Sequence, residues 1–187
     1  LAFGSKPTRF FDELGPWLLL ANALNIVWTV AWLGEWTGTS VAILAAINLC
    51  FVMALRRTRV GRAKAPVRVV VLEWLPLGVY AGWVAVAVIA NLSAWLAKEG
   101  WVPGNSSAWA LAMIALAFAY NVFVLFRRNL RDHASVAVWA FVAIAVRQWG
   151  NGELVAWGAA AAAVTLTLCI AVHLVRALAP RAVAVAR

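Results

Sequence analysis

Apolar residues fall in six long blocks separated by short polar or basic stretches. The first covers residues 16–36, opening after Asp12-Glu13-Leu14-Gly15, and its twenty-one residues reach about 30 Å as a helix, the thickness of a bilayer's hydrocarbon core. The second covers residues 39–55 and stops at Arg56-Arg57. The third covers residues 69–97, with Pro76 near its start predicting a disturbed turn around Glu73. The fourth, 107–126, follows the turn signal Pro103-Gly104-Asn105; the fifth, 134–149, is short for a full span; the sixth, 154–179, is stopped by Pro180. Such runs are too long for strands and lack two-residue alternation. The pattern predicts an all-α fold, a polytopic membrane helical bundle of about six transmembrane helices. Residues 16–179 form its transmembrane domain, flanked by an N-terminal segment 1–15 and a basic tail 180–187.

Composition strengthens that reading. The chain is 65% hydrophobic with a mean hydropathy of +0.87, which leaves too little polar surface to cover a water-soluble domain. The formal net charge is +9, a balance that in a soluble protein would suggest nucleic acid. Here the charges alternate with the crossings. Lys6 and Arg9 precede the first block; Arg56, Arg57, Arg59, Arg62, Lys64 and Arg68 follow the second; Arg127, Arg128 and Arg131 follow the fourth; Arg176, Arg181 and Arg187 lie at the end. The intervening loops hold only Glu35, the pair Lys98 and Glu99, and the pair Arg147 and Glu153. Alternation of this kind reports orientation, predicting both termini in the cytoplasm and no nucleic-acid partner. Residues 1–15 contain no apolar core of a signal peptide. Cys50 and Cys169 lie within apolar blocks without metal-ligand spacing and read as packing residues.

Candidate chemistry concentrates on the first and third helices. Asn25, Trp28, Trp32 and Trp36 recur at helical spacing and predict one stripe of donors. Such a stripe suits a flat aromatic ligand, or else polar bonding between helices through Asn22 and Asn25. On the third helix Pro76, Tyr80, Trp83 and Asn91 fall near one face, while Gly78 and Gly82 predict a close helix–helix contact. Glu73 and Arg147 read as boundary charges. His133, beside Asp132 in a basic loop, reads as solvated. His173 is a lone imidazole that could ligate a haem iron or a chlorophyll magnesium, or else bond a neighbouring helix. Asn48 and Asn121 read as polar links between helices. No paired carboxylates, Ser/His/Asp set or phosphate loop is visible, and Lys6, Lys64 and Lys98 all fall outside the spans, which predicts neither an enzyme nor a retinal protein.

Two segments carry a family likeness. Leu24-Asn25-Ile26-Val27-Trp28 resembles the LNxxW signature of the TspO/MBR family of tryptophan-rich sensory proteins. Leu75-Pro76-Leu77-Gly78-Val79-Tyr80-Ala81-Gly82-Trp83 through Ala87 to Asn91 resembles that family's PYxxWxxxAxxxN helix, in its longer bacterial branch. Val138-Trp139-Ala140 resembles the C-terminal part of that branch. The family's earlier PxxxFxxxWxxLY helix has no counterpart, so the chain is expected to begin at the family's third helix. The resemblance implies a helical membrane protein with an aromatic pocket for tetrapyrroles such as porphyrin or haem, or for other apolar molecules. Carried over, Asn25 and Trp28 would face that pocket, and Trp83, Ala87 and Asn91 would form its wall.

Two functions therefore remain open. One is a binding protein whose apolar ligand lies among Asn25, Trp28, Trp32, Tyr80, Trp83, Ala87 and Asn91. The other is an accessory subunit of a photosynthetic or respiratory membrane complex, packing lipid, a chlorophyll-type pigment, a partner protein or a second copy of itself.

Overall fold

A computed structural model describes residues 9–58, 60–62, 65–102 and 106–178. Among these there are six helices and no strand: α1 (Arg9–Leu33), α2 (Thr37–Thr58), α3 (Val67–Lys98), α4 (Ser106–Arg128), α5 (Arg131–Gln148) and α6 (Glu153–Leu178). All but α5 are long and apolar enough to cross a bilayer. Helix α5 has only 18 residues and carries Arg131, Asp132 and Arg147 at its ends. Even so, 18 residues reach about 27 Å, and α5 accompanies α3 through most of its depth. Asp132 abuts Gly78, His133 abuts Gly82, the Trp139 ring lies on Trp83, and Gln148 shares a cavity with Ser93. The two helices run parallel, as alternating crossings require.

Helix α1 begins at Arg9 and passes through Pro16, ahead of the apolar block. Its far end departs from the sequence expectation. Glu35 takes a left-handed φ of 56°, its N–H donates to the Trp32 carbonyl, and the Trp36 N–H donates to the Ala31 carbonyl. These two bonds satisfy the last carbonyls of α1 and turn the chain out of the helix. Trp36 therefore leaves the stripe that Asn25, Trp28 and Trp32 occupy. Helix α3 ends in the same way, with Gly100 at φ 76° and the Trp101 N–H donating to the Leu96 carbonyl. Both trailing indoles are exposed at one end of the bundle, the placement that Trp favours at a membrane–water boundary.

The disturbance expected near Glu73 is a π turn over Val70–Trp74, in which the Leu75 N–H reaches back to the Val70 carbonyl. Pro76 explains it: without an N–H, it cannot close the ordinary bond to Leu72, and the ladder widens over the preceding turn.

Two cores form, with α3 between them. One joins α1, α2 and α3 around Ile47, Phe51, Leu77 and Ala81; the other joins α4, α5 and α6 around Leu125, Phe141, Ala159 and Leu166. Close approach rests on small residues, as it must where lipid supplies no hydrophobic drive between helices. Gly78 and Gly82 admit the first turn of α5, where a methyl at Gly82 would lie 2.6 Å from the His133 carbonyl oxygen. Gly158 admits Leu111, and Ala159 and Ala163 are buried on the packed face of α6. The outward faces carry Leu19, Ile26, Val30, Val164 and Leu168, fitting for contact with acyl chains.

The arginine-rich connections gather at one end and knit together. Arg128 donates to the Leu55 carbonyl, Arg62 to the Arg127 carbonyl and Asn129 to the Gly61 carbonyl, at 3.2, 3.3 and 3.0 Å. Arg57 lies over the Trp17 ring at 5.3 Å.

Candidate functional site

A three-residue turn folds α2 back along α1, which sets Ser40, one turn into α2, opposite Trp28. The indole Nε1 of Trp28 donates to Ser40 Oγ at 2.9 Å. That hydroxyl donates onward to Asn91 Oδ1 at 3.1 Å, and Asn91 Nδ2 donates to the Ala87 carbonyl at 3.0 Å. One polar relay thus crosses α1, α2 and α3. Ser40 is fully buried at its centre. In an apolar interior, hydrogen bonds in series reinforce one another and leave little freedom of rotation. Gly38 supports the junction from beside it, since its bare Cα lets the Trp95 indole of α3 approach.

Around the relay, the sequence-expected residues divide. Trp32 stacks on Trp28 with ring centres 6.0 Å apart and planes 24° from parallel. Its ring is 48% exposed and lines a hollow with Ala31, Glu35, Thr37 and Lys98, where Lys98 Nζ reaches the Glu35 carbonyl at 3.2 Å. Asn25 is half-buried on the same helix, with its carbonyl accepting from Thr29 Oγ1 at 2.9 Å. Tyr80, Ala87 and Asn91 share the α3 face that meets α2, and the Tyr80 ring packs 4.6 Å from that of Phe51. Trp83 stands apart. It occupies the flank of α3, 52% exposed, against Trp139 of α5 at 5.4 Å.

Helices α1 and α3 both pack on α2 but make no direct backbone approach to each other among the described residues. Between them runs a groove of about 250 Å³ lined by Leu14, Leu18, Leu72, Glu73, Pro76, Leu77 and Tyr80. It is almost wholly apolar, with Glu73 at its basic end and the Tyr80 ring toward the relay. The buried Nε1 of Trp17, on the same turns of α1, finds no hydrogen-bond partner among the described residues.

Ser40 escaped the sequence reading because a lone serine at a helix start is ordinary, and its role depends on two other helices. His133 is a correction. It is not solvated in a loop but lies on α5, 2% exposed, with Nδ1 3.1 Å from Asn121 Oδ1. The Asn121 amide donates to the Ala117 carbonyl, so its oxygen faces the imidazole and Nδ1 carries the proton. The cause is that α5 starts at Arg131, drawing His133 into the packed first turn against Gly82. Asn121 joins helices as expected. Asn22 is exposed and joins no other helix among the described residues. His173 is half-buried with its ring edge-on to Phe126 at 5.6 Å, and its buried Nδ1 has no partner among the described residues. No three metal-ligating side chains converge among the described residues.

A family model described as TSPO-like protein matches residues 3–172. No curated protein and no solved structure matches the chain.

Proposed function

The chain belongs to the TSPO-like protein family, and on that premise we propose that it is a non-catalytic membrane receptor for a tetrapyrrole or another flat apolar ligand. The ligand lies in the groove between α1 and α3, in a bacterial inner membrane with the basic end of the bundle cytoplasmic. The observation that carries this reading is the apolar groove between α1 and α3, with the hydrogen-bonded relay of Trp28, Ser40 and Asn91 farther along the same helices. Burying flat aromatic surface against Tyr80 in the groove wall supplies the first part of the affinity, and a ligand that extends along α1 and α3 reaches Trp28 and Trp32, with Asn25 and Asn91 beside them. At 250 Å³ the groove lies below the usual range of about 300–1,000 Å³ for small-molecule sites. Helix α1 must therefore move outward to admit a porphyrin, which its backbone can do while staying against α2, since it approaches no other helix backbone among the described residues. Trp83, on the other flank, takes no part.

Titration of the reconstituted protein with protoporphyrin, read by quenching of tryptophan emission, tests the proposal. Trp28→Ala and Tyr80→Ala should each weaken binding about tenfold, as loss of a well-packed aromatic face does. Trp83→Ala should leave affinity unchanged. Equal affinity in all three variants would end the assignment.

The outward flank of α1, with Leu19, Ile26, Val27 and Val30 exposed, favours a second reading as an accessory subunit whose first helix docks on a larger complex. A stoichiometric membrane-protein partner that co-purifies in mild detergent, together with no porphyrin binding, would select it.

A further inference from the structure

A separate pocket of about 360 Å³ lies at the basic end, between the start of α3 and the turn from α4 into α5. Its walls divide by chemistry. Val70, Trp74 and Leu75 supply an apolar side, and Arg131 and Asp132 a charged side, with Gly61 of the neighbouring loop at the rim. Val70 and Leu75 are also partly exposed, and Val71 and Leu72 beside them extend the apolar surface along the outside of α3. A cavity with a greasy wall that runs on into lipid and a cation beside an anion at its mouth matches an amphiphile.

The charges narrow the choice. One terminal nitrogen of Arg131 donates to Asn129 Oδ1 at 3.0 Å, while its buried Nε finds no hydrogen-bond partner among the described residues. A planar guanidinium with an unfilled donor suits a phosphate oxygen. Arg62, exposed beside Gly61, adds positive potential. Asp132, one residue on, would repel a headgroup that carries only negative charge. It would accept from a primary ammonium, whereas a trimethylammonium offers no N–H.

We propose that this pocket holds the headgroup of an amine-bearing phospholipid, phosphatidylethanolamine, from the leaflet at the basic end of the bundle. Arg131 takes the phosphate, Asp132 takes the ammonium, and one acyl chain descends over Val70, Trp74 and Leu75. The site is independent of the α1–α3 groove, since it lies against α5 and shares none of the groove's lining.

The full chain, exchanged into mixed micelles with equal phosphatidylethanolamine, phosphatidylcholine and phosphatidylglycerol, tests this when retained lipid is counted by native mass spectrometry. Wild type should retain the ethanolamine lipid about fivefold over either other lipid, the scale of one charge contact at a membrane surface. Asp132→Asn should abolish the preference over phosphatidylcholine, and Arg131→Gln should lower retention of all three. Arg131→Gln against wild type carries the test should Asp132→Asn fail to fold. Indifference among the lipids in wild type, or unchanged retention of all three in Arg131→Gln, overturns the proposal. So does displacement of the lipid by equimolar soluble phosphoethanolamine, which would make the site one for a free phosphate ester.

Discussion

Removing one oxygen atom from Ser40 should loosen three helices at once. Its hydroxyl accepts from the Trp28 indole at 2.9 Å and donates to Asn91 Oδ1 at 3.1 Å. Interhelical hydrogen bonds in a bilayer contribute about 0.6 kcal/mol each on average, and up to about 1.7, so two of them sum to about 1 kcal/mol. Ser40→Ala also leaves an indole N–H and an amide oxygen unpaired in an apolar interior, and each such orphan costs about 1–3 kcal/mol unless it finds a new partner. Since Trp28 lies near the less buried rim of α1, partial relief is expected, and the combined loss should be about 1–3 kcal/mol. The measurement is reversible unfolding in mixed micelles by added dodecyl sulfate. Thr167→Ala is the reference, because among the described residues that hydroxyl bonds only to the Ala163 carbonyl of its own helix at 2.8 Å, and its loss should stay within about 0.5 kcal/mol. A double-mutant cycle of Ser40→Ala with Trp28→Phe should return a coupling of about 0.5–1.5 kcal/mol. If the two substitutions add without coupling, or Ser40→Ala matches Thr167→Ala, the relay contributes nothing and the site loses its organising element.

Two further outcomes follow from backbone geometry. Glu35 sits at a φ of 56°, which costs a residue with a Cβ about 1–2 kcal/mol, while glycine adds about 0.4–1 kcal/mol of unfolded-state entropy. Glu35→Gly should therefore stabilise the fold by about 0.5–1 kcal/mol in the same unfolding assay, and Glu35→Ala should bring no such gain. Gly82→Ala places a methyl 2.6 Å from the His133 carbonyl oxygen and should cost about 1–3 kcal/mol by forcing α3 from α5. Gly15→Ala meets nothing within 4 Å and should gain about 0.5–1 kcal/mol from helix propensity; the same sign for both glycines would refute the packing described for α3.

The helices were legible because each rests on a signal within one segment. Run length located α1 to α4 and α6, and the missing N–H of Pro76 announced the widened turn at Val70–Trp74. Gly78 and Gly82 declared a close contact, although not that α5 would fill it. Where the reading strayed, the deciding force was also local but its signal weak. Gly34 before Glu35 was the only hint that α1 would end before Trp36, and charged Arg131 and Asp132 disguised the first turn of α5 as loop.

The site was only half legible, for a different reason. Periodicity on one helix says which residues share a face, but not which helix that face will meet. Tyr80, Trp83 and Asn91 read as neighbours on α3, yet α2 and α5 pack on opposite sides of that helix, and an offset of one flank sends Trp83 to Trp139 while Asn91 turns to Ser40. Aromatic residues are conspicuous in a sequence because they are large. The residue that joins Trp28 to Asn91 is small, since only a short hydroxyl fits between two helices and an indole at 2.9 and 3.1 Å. In a membrane bundle, where small residues let backbones approach and each buried donor must find an acceptor, the organising position is the one whose side chain carries least sequence signal. A serine at such a junction becomes recognisable only when the partners of the neighbouring tryptophan and asparagine are both asked for.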